Sequence, residues 1–311
     1  MDEQTPNIKH RRRPIVAAIL SFIVTGLGYI YCGRIVKGLF APFIGMIFVP
    51  VITSVILAKL SRLNMVIIEA SIYISLLIWL VSIIDSYRIA RRTRPDYELK
   101  EYNRWYVYVV FYILIVICAK EIIFGIKSNL MEAFRTSSLS MFPTIEYHDR
   151  FLANKIAYKN ADPQRGDVIV FISPENRRQN NVKRVVAVAG DTVEIKDNQF
   201  YVNGEMLERK SMGRTSYYDS KRKVEGESFT EKNGQAEYEI FIADTNSNEI
   251  HSLADFPKTT IPAQHCFVLG DNRNYSHDSR HYGLVPLATV KGRADYHYCL
   301  VKFWLGFEKI K

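Results

Sequence analysis

The chain has 311 residues, of which 48% are hydrophobic, and a formal charge of +9. This length and hydrophobic content suffice for two modules, a sizeable core and several membrane spans. The positive charge is accompanied by no arginine-rich helix, zinc-finger spacing or RNA-binding aromatic motif, so we exclude nucleic acid as a partner. Much of the charge flanks apolar runs, where basic residues indicate membrane topology.

Residues 14–126 are dominated by apolar runs, and a membrane-spanning helix needs about 20 apolar residues. Three runs meet this length, at residues 38–58, 64–84 and 105–126. A fourth run, residues 14–31, is shorter and is broken around Gly26 and Gly28, so it either spans the membrane or enters it and returns. We therefore predict a multi-span α-helical membrane region.

The charge pattern predicts the orientation of this region. The basic segment Arg88–Arg94 precedes the last run and predicts a cytoplasmic loop, so residues 131–311 are expected outside. The Lys9–Arg13 cluster favours an N-terminus inside, with three full spans and a re-entrant first segment. Four spans with the N-terminus outside are the alternative. We divide the chain into a membrane module of unknown role (1–103), a transmembrane anchor (104–127) and an outer domain (128–311).

The outer domain is predicted to be mainly β. Apolar runs of strand length occupy residues 167–172, 182–188, 192–195 and 266–269. The pair Asn203-Gly204 predicts a hairpin, because both residues accept the positive φ angles of a type I′ turn. Residues 205–260 are more polar and less regular, which indicates an inserted lobe outside the catalytic core.

The sequence contains no motif for a metal, a nucleotide or a disulfide framework. His277 and His281 are four residues apart, but no further metal ligand accompanies them. Cys266 and Cys299 are expected to be buried free thiols, with a bridge between them as the alternative. We predict a protein that works without a cofactor.

A serine and a lysine in the outer domain carry the candidate chemistry. A serine hydroxyl is a poor nucleophile until a base takes its proton, and a buried lysine becomes neutral enough to be that base. Lys183 shares a strand face with Val185, where it can be shielded, while Arg184 points to the other side toward solvent or an anion. The alternative for Lys183 alone is an ordinary lysine on an exposed strand face.

Four sequence blocks in the outer domain give these residues a context. They are Ser138-x-Ser140-Met141-x-Pro143-Thr144, Arg165-Gly166-Asp167-Val168-Ile169-Val170-Phe171, Lys183-Arg184-Val185-Val186 with Gly190-Asp191, and Gly270-Asp271-Asn272-Arg273 through Ser276-x-Asp278-Ser279-Arg280. Their order is that of type I signal peptidases, which the chain resembles over about residues 105–300. The resemblance implies a β catalytic domain of signal-peptidase type.

The same resemblance implies a function and a location. It implies a serine endopeptidase that removes signal peptides from exported preproteins through a Ser/Lys dyad and an acyl-enzyme intermediate. Its partners would be preproteins delivered by a general export pathway and the phospholipid membrane. Its location would be the bacterial cytoplasmic membrane, multi-pass, with the catalytic domain on the extracytoplasmic face.

Matching the blocks position by position implies a role for each site residue. Ser140 corresponds to the nucleophile, Lys183 to the general base, and Ser138 to an oxyanion donor alongside the Ser140 N–H. The resemblance also implies supporting residues around the lysine, with Ser276 orienting its amine: Ser276, Asp278, Arg280, Gly270 and Asp271. The substrate-binding residues it implies are Phe134, Thr136, Met141, Ile145 and Val182.

The chain departs from the family pattern at a few positions, none of which removes a reacting group. Leu139 stands where many members have glycine, and Asn181 stands where some have an aromatic residue. Residues 187–189 replace a frequent Gly-Leu-Pro. Two other functions remain open at this point: a specialised processing peptidase with few substrates, and a non-catalytic membrane protein that binds preproteins.

Overall fold

The computed structural model describes residues 12–48, 64–93, 101–196, 199–219, 222–244, 255–301 and 304–310. The chain divides into two compact units, residues 1–128 and residues 129–311. The first unit is helical and the second is built mainly from β-strands.

The first unit contains five α-helices within its described residues. They are α1 (Pro14–Ile23), α2 (Leu27–Tyr31), α3 (Ile35–Pro42), α4 (Asn64–Arg92) and α5 (Trp105–Asn129), with a π-helical segment at Phe43–Phe48 and a 3₁₀ turn at Glu101–Asn103. In the part of the chain that the structure describes, two stretches are long and apolar enough to cross a membrane, Ala70–Arg92 and Trp105–Asn129. Most of their side chains are exposed, as expected for helices that face lipid.

The glycines in the first predicted run break it, as the sequence indicates. α1 ends at Ile23 and α2 begins at Leu27, and Gly26 between them has φ +106°. A Cβ on Gly28 would lie 2.2 Å from the Ala17 carbonyl oxygen, so glycine permits this close approach. Residues 49–58 of the second predicted run and the basic residues 9–11 lie outside the described residues.

The second unit contains fifteen strands and one short helix within its described residues. They are β1 (Met131–Arg135), β2 (Arg150–Asn154), β3 (Val168–Ile172), β4 (Asn180–Val188), β5 (Thr192–Lys196), β6 (Gln199–Val202), β7 (Glu205–Met206), β8 (Glu208–Asp219), β9 (Arg222–Asn233), β10 (Ala236–Ala243), β11 (Phe256–Thr260), β12 (His265–Leu269), α6 (Ser279–Tyr282), β13 (Val285–Pro286), β14 (Val290–Val301) and β15 (Trp304–Lys309), with a 3₁₀ turn at Leu287–Thr289.

The strands form three antiparallel sheets. The largest has eight strands in the order β1-β2-β14-β3-β4-β12-β13, with β15 on β14, and the second has the order β11-β5-β6-β7. The third, β10-β9-β8, is the lobe. Apolar side chains of β4 and β12, such as Val186 and Phe267, pack against Val193 and Phe200 of the second sheet. This core holds β4, which carries Lys183, from one side.

The strand predictions are confirmed, with ends that shift by one or two residues. The hairpin prediction is also confirmed: Val202 pairs with Glu205, and Asn203 and Gly204 have φ angles of 54° and 81°. Residues 205–260, predicted as an inserted lobe, contain regular strands, because β8 and β9 pair along their length. Most of β8 is exposed, which hides the apolar alternation that reveals a strand. Phe256–Thr260, predicted as part of the lobe, instead pairs with β5.

Cys266 is a buried free thiol, as expected, whereas the side chain of Cys299 lies outside the described residues. The Cys266 Sγ lies 3.7 Å from the Val285 carbonyl oxygen. Burial raises the pKa of this thiol to about 12. Cys266 is therefore unreactive and fills the core of the large sheet.

Candidate active site

Ser140 and Lys183 meet inside the second unit. Ser140 lies in the segment Ser138–Thr144, here called the nucleophile loop, and Lys183 lies on β4. The Lys183 Nζ donates a hydrogen bond of 2.5 Å to the Ser140 Oγ. Only 8% of Ser140 and 5% of Lys183 is exposed. The structure thus brings the two predicted reacting groups into direct contact away from bulk water.

Burial makes Lys183 hold its proton less tightly than an ordinary lysine does. Desolvation lowers its pKa from 10.5 to about 8, because an ammonium is poorly solvated there. The carboxylates of Asp278 and Asp271 oppose this shift at a distance. Among the described residues, no carboxylate forms an ion pair with Lys183. A substantial fraction of the amine is therefore neutral near pH 8 and able to accept a proton.

The two predicted oxyanion donors contact each other. The Ser140 backbone N–H donates to the Ser138 Oγ at 3.1 Å. In this arrangement the Ser138 oxygen occupies the space in front of the N–H. Both groups can donate to one substrate oxygen only after the Ser138 side chain turns about its Cα–Cβ bond.

Arg184 and Asp271 form a buried ion pair on the opposite face of β4. The guanidinium donates from Nε to the Asp271 Oδ1 and from Nη2 to Oδ2, both at 2.7 Å, and neither side chain is exposed. Thr144 donates to the same carboxylate at 2.5 Å. The sequence predicted that Arg184 faces either solvent or an anion, and in the structure it contacts an anion, the Asp271 carboxylate. The pair ties β4 to the loop after β12 and to the end of the nucleophile loop.

The supporting residues gather in the segment Gly270–Arg280, here called the Gly270 loop. Arg280 donates two hydrogen bonds of 2.8 Å to the Asp278 carboxylate. Burial alone would raise the Asp278 pKa, but Arg280, the Gly270 N–H and Ser276 lower it overall. A Cβ on Gly270 would lie 2.4 Å from the Ser140 carbonyl oxygen, so only glycine fits against the nucleophile loop.

Ser276 is buried close to this contact, but its predicted role is not visible as a bond. A Cβ on Gly270 would lie 2.2 Å from the Ser276 Oγ. The hydrogen bond that the structure describes for the Lys183 Nζ goes to Ser140 rather than to Ser276. The orientation of the amine by Ser276 stays a prediction.

A cleft of about 110 Å³ opens beside the serine. Its walls include four of the five predicted substrate-binding residues, Phe134, Thr136, Met141 and Val182. Ile145 is the exception and its prediction is wrong, because it is fully buried in the core with Met141 and Phe151 instead of lining the cleft. Its side chain follows the turn of the nucleophile loop inward, which spacing in the sequence does not reveal. Asn181 does line the cleft.

Comparisons with known proteins bear on this site. A family model described as "Signal peptidase, peptidase S26" matches residues 103–299. The chain belongs to this family of signal peptidases. Signal peptidase I of Pseudomonas aeruginosa is 34% identical over 219 residues, which cover 63% of this chain and 71% of that protein.

Two other relatives of this S26 peptidase come from distant bacteria. Probable signal peptidase I-2 of Synechocystis is 29% identical, over 70% of this chain and 81% of that protein. Signal peptidase I of Aquifex aeolicus is 32% identical, over 56% of this chain and 77% of that protein. The family resemblance is confirmed, and with it the enzyme class of the chain, a serine endopeptidase.

Sequence reasoning missed several residues that surround the site of this S26 peptidase. Asn272 lies inside a recognised block but received no role, although it contacts the backbone of the nucleophile loop. Glu231 and Tyr217 lie in the lobe, where they bond the side chains of Arg273 and Asn272. Nothing in the local sequence marks these two lobe residues, because their partners are 42 and 55 residues away.

Proposed function

We propose that this chain removes signal peptides from preproteins with Ser140 as nucleophile and Lys183 as general base. The single observation that carries the proposal is the 2.5 Å contact between the Lys183 Nζ and the Ser140 Oγ in a buried site. Burial lowers the pKa of the lysine to about 8, which supports a base that works near neutral pH.

The proposed reaction has two halves that use the same base. Neutral Lys183 takes the Ser140 hydroxyl proton while the Oγ attacks the scissile carbonyl carbon. The tetrahedral oxyanion receives hydrogen bonds from the Ser140 N–H and, after it turns, the Ser138 hydroxyl. The intermediate collapses, and Lys183 passes its proton to the departing amine. Lys183 then takes a proton from water while the water oxygen attacks the acyl carbon, and it returns this proton to the Ser140 Oγ as the C–O bond to the acyl group breaks.

The cleft supports a preference for small side chains before the cut. A volume of about 110 Å³ holds little more than a short side chain and its surrounding space. β1 is the last strand on its side of the large sheet, so its outer edge can pair with an extended substrate. We expect cleavage after Ala-x-Ala, with Phe134, Met141 and Val182 forming apolar contacts to the two alanines.

We further propose a multi-pass protein of the bacterial cytoplasmic membrane, with the catalytic unit on the extracytoplasmic face. Two described helices are long and apolar enough to span, and the basic end of α4 at Arg91 and Arg92 favours the cytoplasm. The substrates would then arrive through a general export pathway, and phospholipid would surround the helices. Alkaline phosphatase fused after Lys311 is expected to be active in cells, because it would lie on the extracytoplasmic face. An inactive fusion would contradict the proposed orientation.

The function is tested with a preprotein that carries an Ala-x-Ala site. Detergent-purified wild type should cut after the second alanine, as mapped by mass spectrometry. Ser140→Ala and Lys183→Ala should not cut, although both remain folded. Activity in either variant would refute the dyad. Cleavage of only one among many unrelated preproteins would favour the specialised peptidase, and binding without cleavage would favour the non-catalytic protein.

A further inference from the structure

The peptide unit that joins Leu139 to Ser140 is held by a residue with no assigned role. Asn272 donates from its side-chain Nδ2 to the Leu139 carbonyl oxygen and from its backbone N–H to the Ser140 carbonyl oxygen, both at 3.1 Å. We propose that Asn272, held in place by Tyr217 of the lobe, is a positioning residue that aims the Ser140 N–H at the oxyanion. This role rests on the proposed function.

Peptide geometry connects these contacts to catalysis. A trans peptide is planar, and its C=O and N–H point in opposite directions. Fixing the Leu139 carbonyl oxygen therefore fixes the direction of the Ser140 N–H, which belongs to the same peptide unit. The Phe142 N–H also donates to the Leu139 oxygen at 3.1 Å and closes a local turn. Asn272 adds a second anchor from outside the nucleophile loop.

The Asn272 side chain is itself fixed by the lobe. It is fully buried, and its Nδ2 also donates to the Tyr217 hydroxyl at 3.0 Å. Since a carbonyl oxygen only accepts, the amide edge that faces Leu139 must be the nitrogen. Phe241 of β10 holds the backbone on both sides of Asn272: its N–H donates to the Asp271 oxygen at 2.8 Å, and its oxygen accepts from the Arg273 N–H at 2.9 Å.

The lobe also holds the nucleophile loop through apolar packing. Leu139 and Phe142 are buried in one cluster with Tyr217 and Phe241. The Phe142 ring lies 4.8 Å from the Tyr217 ring and 5.2 Å from the Phe241 ring, centroid to centroid. Leu139 thus gives the loop a side chain that packs against the lobe. The lobe thereby acquires a task in the active site.

A buried ion pair attaches the lobe to the Gly270 loop at a second place. Arg273 donates to both oxygens of Glu231 at 2.6 Å, and neither side chain is exposed. Arg273 lowers the pKa of this buried carboxyl and offsets the rise that burial alone would cause. Because the attachment does not depend on Tyr217, removing the Tyr217 hydroxyl should leave the lobe docked.

The test uses two substitutions in the full detergent-purified chain. Asn272→Ala should lower kcat for the Ala-x-Ala preprotein about 10- to 100-fold, since loss of one oxyanion donor costs about 100- to 1000-fold and the local turn remains. Tyr217→Phe keeps the ring and removes one oxygen, and kcat should fall about 3- to 10-fold. KM should stay within about twofold of wild type in both, because a transition-state contact is affected rather than substrate binding.

Tyr275→Phe is the matched control. The Tyr275 hydroxyl donates a hydrogen bond of 2.6 Å to Asp219 of the lobe. Like Tyr217→Phe, this variant therefore removes one hydrogen bond between the lobe and the Gly270 loop. The hydrogen bond that it removes goes to Asp219 and not to the Leu139–Ser140 peptide, so its kcat should match wild type. In a Ser140→Ala background, Asn272→Ala should leave the Kd of the uncut preprotein unchanged.

The outcomes separate the two proposals. If the wild type cuts and Asn272→Ala and Tyr217→Phe retain wild-type kcat, the positioning role is refuted and the proposed function stands. A fall in kcat that is equal for Tyr217→Phe and Tyr275→Phe would show general loosening of the lobe and would also refute it. A wild type that cuts no preprotein overturns the function and the positioning role together.

Discussion

Lys183 and Arg184 are neighbours on β4, yet they meet opposite electrostatic conditions. Arg184 is fully buried against the Asp271 carboxylate, whereas Lys183 is buried against the Ser140 hydroxyl without an ion pair among the described residues. A buried cation with a paired anion keeps its charge and joins segments of the chain. A buried cation without one tends to lose its proton. The missing counter-ion, as much as burial, makes Lys183 a candidate base.

Replacing Lys183 with arginine is the strongest test of the difference between these two cations. Lys183→Arg keeps a cation but should lower kcat/KM by about 10⁴-fold or more, because a guanidinium does not give up its proton and cannot act as the base. Preprotein cleavage measures the effect. Arg184→Lys is the matched exchange on the other face and should retain measurable cleavage. Cleavage by Lys183→Arg close to the wild-type rate would end the assignment of Lys183 as base.

Removing the counter-ion should convert the structural cation into an unpaired one. Asp271→Asn is expected to lower the free energy of unfolding by about 3–5 kcal/mol, because the Arg184 charge stays buried without its partner. Urea denaturation of the detergent-solubilised chain measures this change. Asp244→Asn is the control: Asp244 and its partner Arg214 are 43% and 65% exposed, so water screens this pair and the loss should be much smaller than for Asp271→Asn. Equal losses would mean that burial does not govern the Asp271 pair.

Neutralising the unpaired cation should stabilise the fold at neutral pH. The folded-state pKa of Lys183 is about 8 against 10.5 for a free lysine. The unfolded chain therefore binds more protons between these values, and stability rises with pH across this window. At pH 7, Lys183→Met should raise the free energy of unfolding by about 3 kcal/mol. The gain should fade as the pH rises from about 8 to 10.5.

Lys258→Met serves as the control for this gain. Lys258 is exposed on β11, so the substitution should change stability by less than about 0.5 kcal/mol. Unfolding of both variants is compared with wild type at the two ends of the pH window. A Lys183→Met protein that is less stable than wild type at pH 7 would indicate that the lysine charge is well compensated in the fold.

The pH dependence of cleavage gives the smallest expected effect. In the proposed mechanism only neutral Lys183 acts as base, and its pKa is about 8, so kcat/KM should rise about 50-fold between pH 6 and pH 8 and then level off. Preprotein binding to Ser140→Ala over the same range separates chemistry from affinity and should stay constant. A flat or falling rate profile would contradict a lysine base with a lowered pKa.

Features that depend on neighbouring residues could be predicted from the sequence, whereas features that depend on distant residues could not. The hairpin at Asn203-Gly204 depends on two residues and their φ angles, and it was predictable. Ile145 was assigned to the cleft by position in a motif, but the turn of the nucleophile loop sends its side chain into the core. The regular strands of the lobe escaped notice because both faces of β8 are largely polar or exposed. Periodicity reports a strand only where one face is buried.

By itself, the sequence determined the apolar segments, the β-rich second half and the family, because these depend on composition, short-range pattern and ordered motifs. Only the tertiary structure decided which cation finds an anion: Asp271 lies 87 residues after Arg184 and reaches it across β12 and β4. The same holds for Tyr217, Asn272 and Leu139, which meet through three separate segments. Such contacts arise from the folding of distant strands onto one another, and no local pattern encodes them.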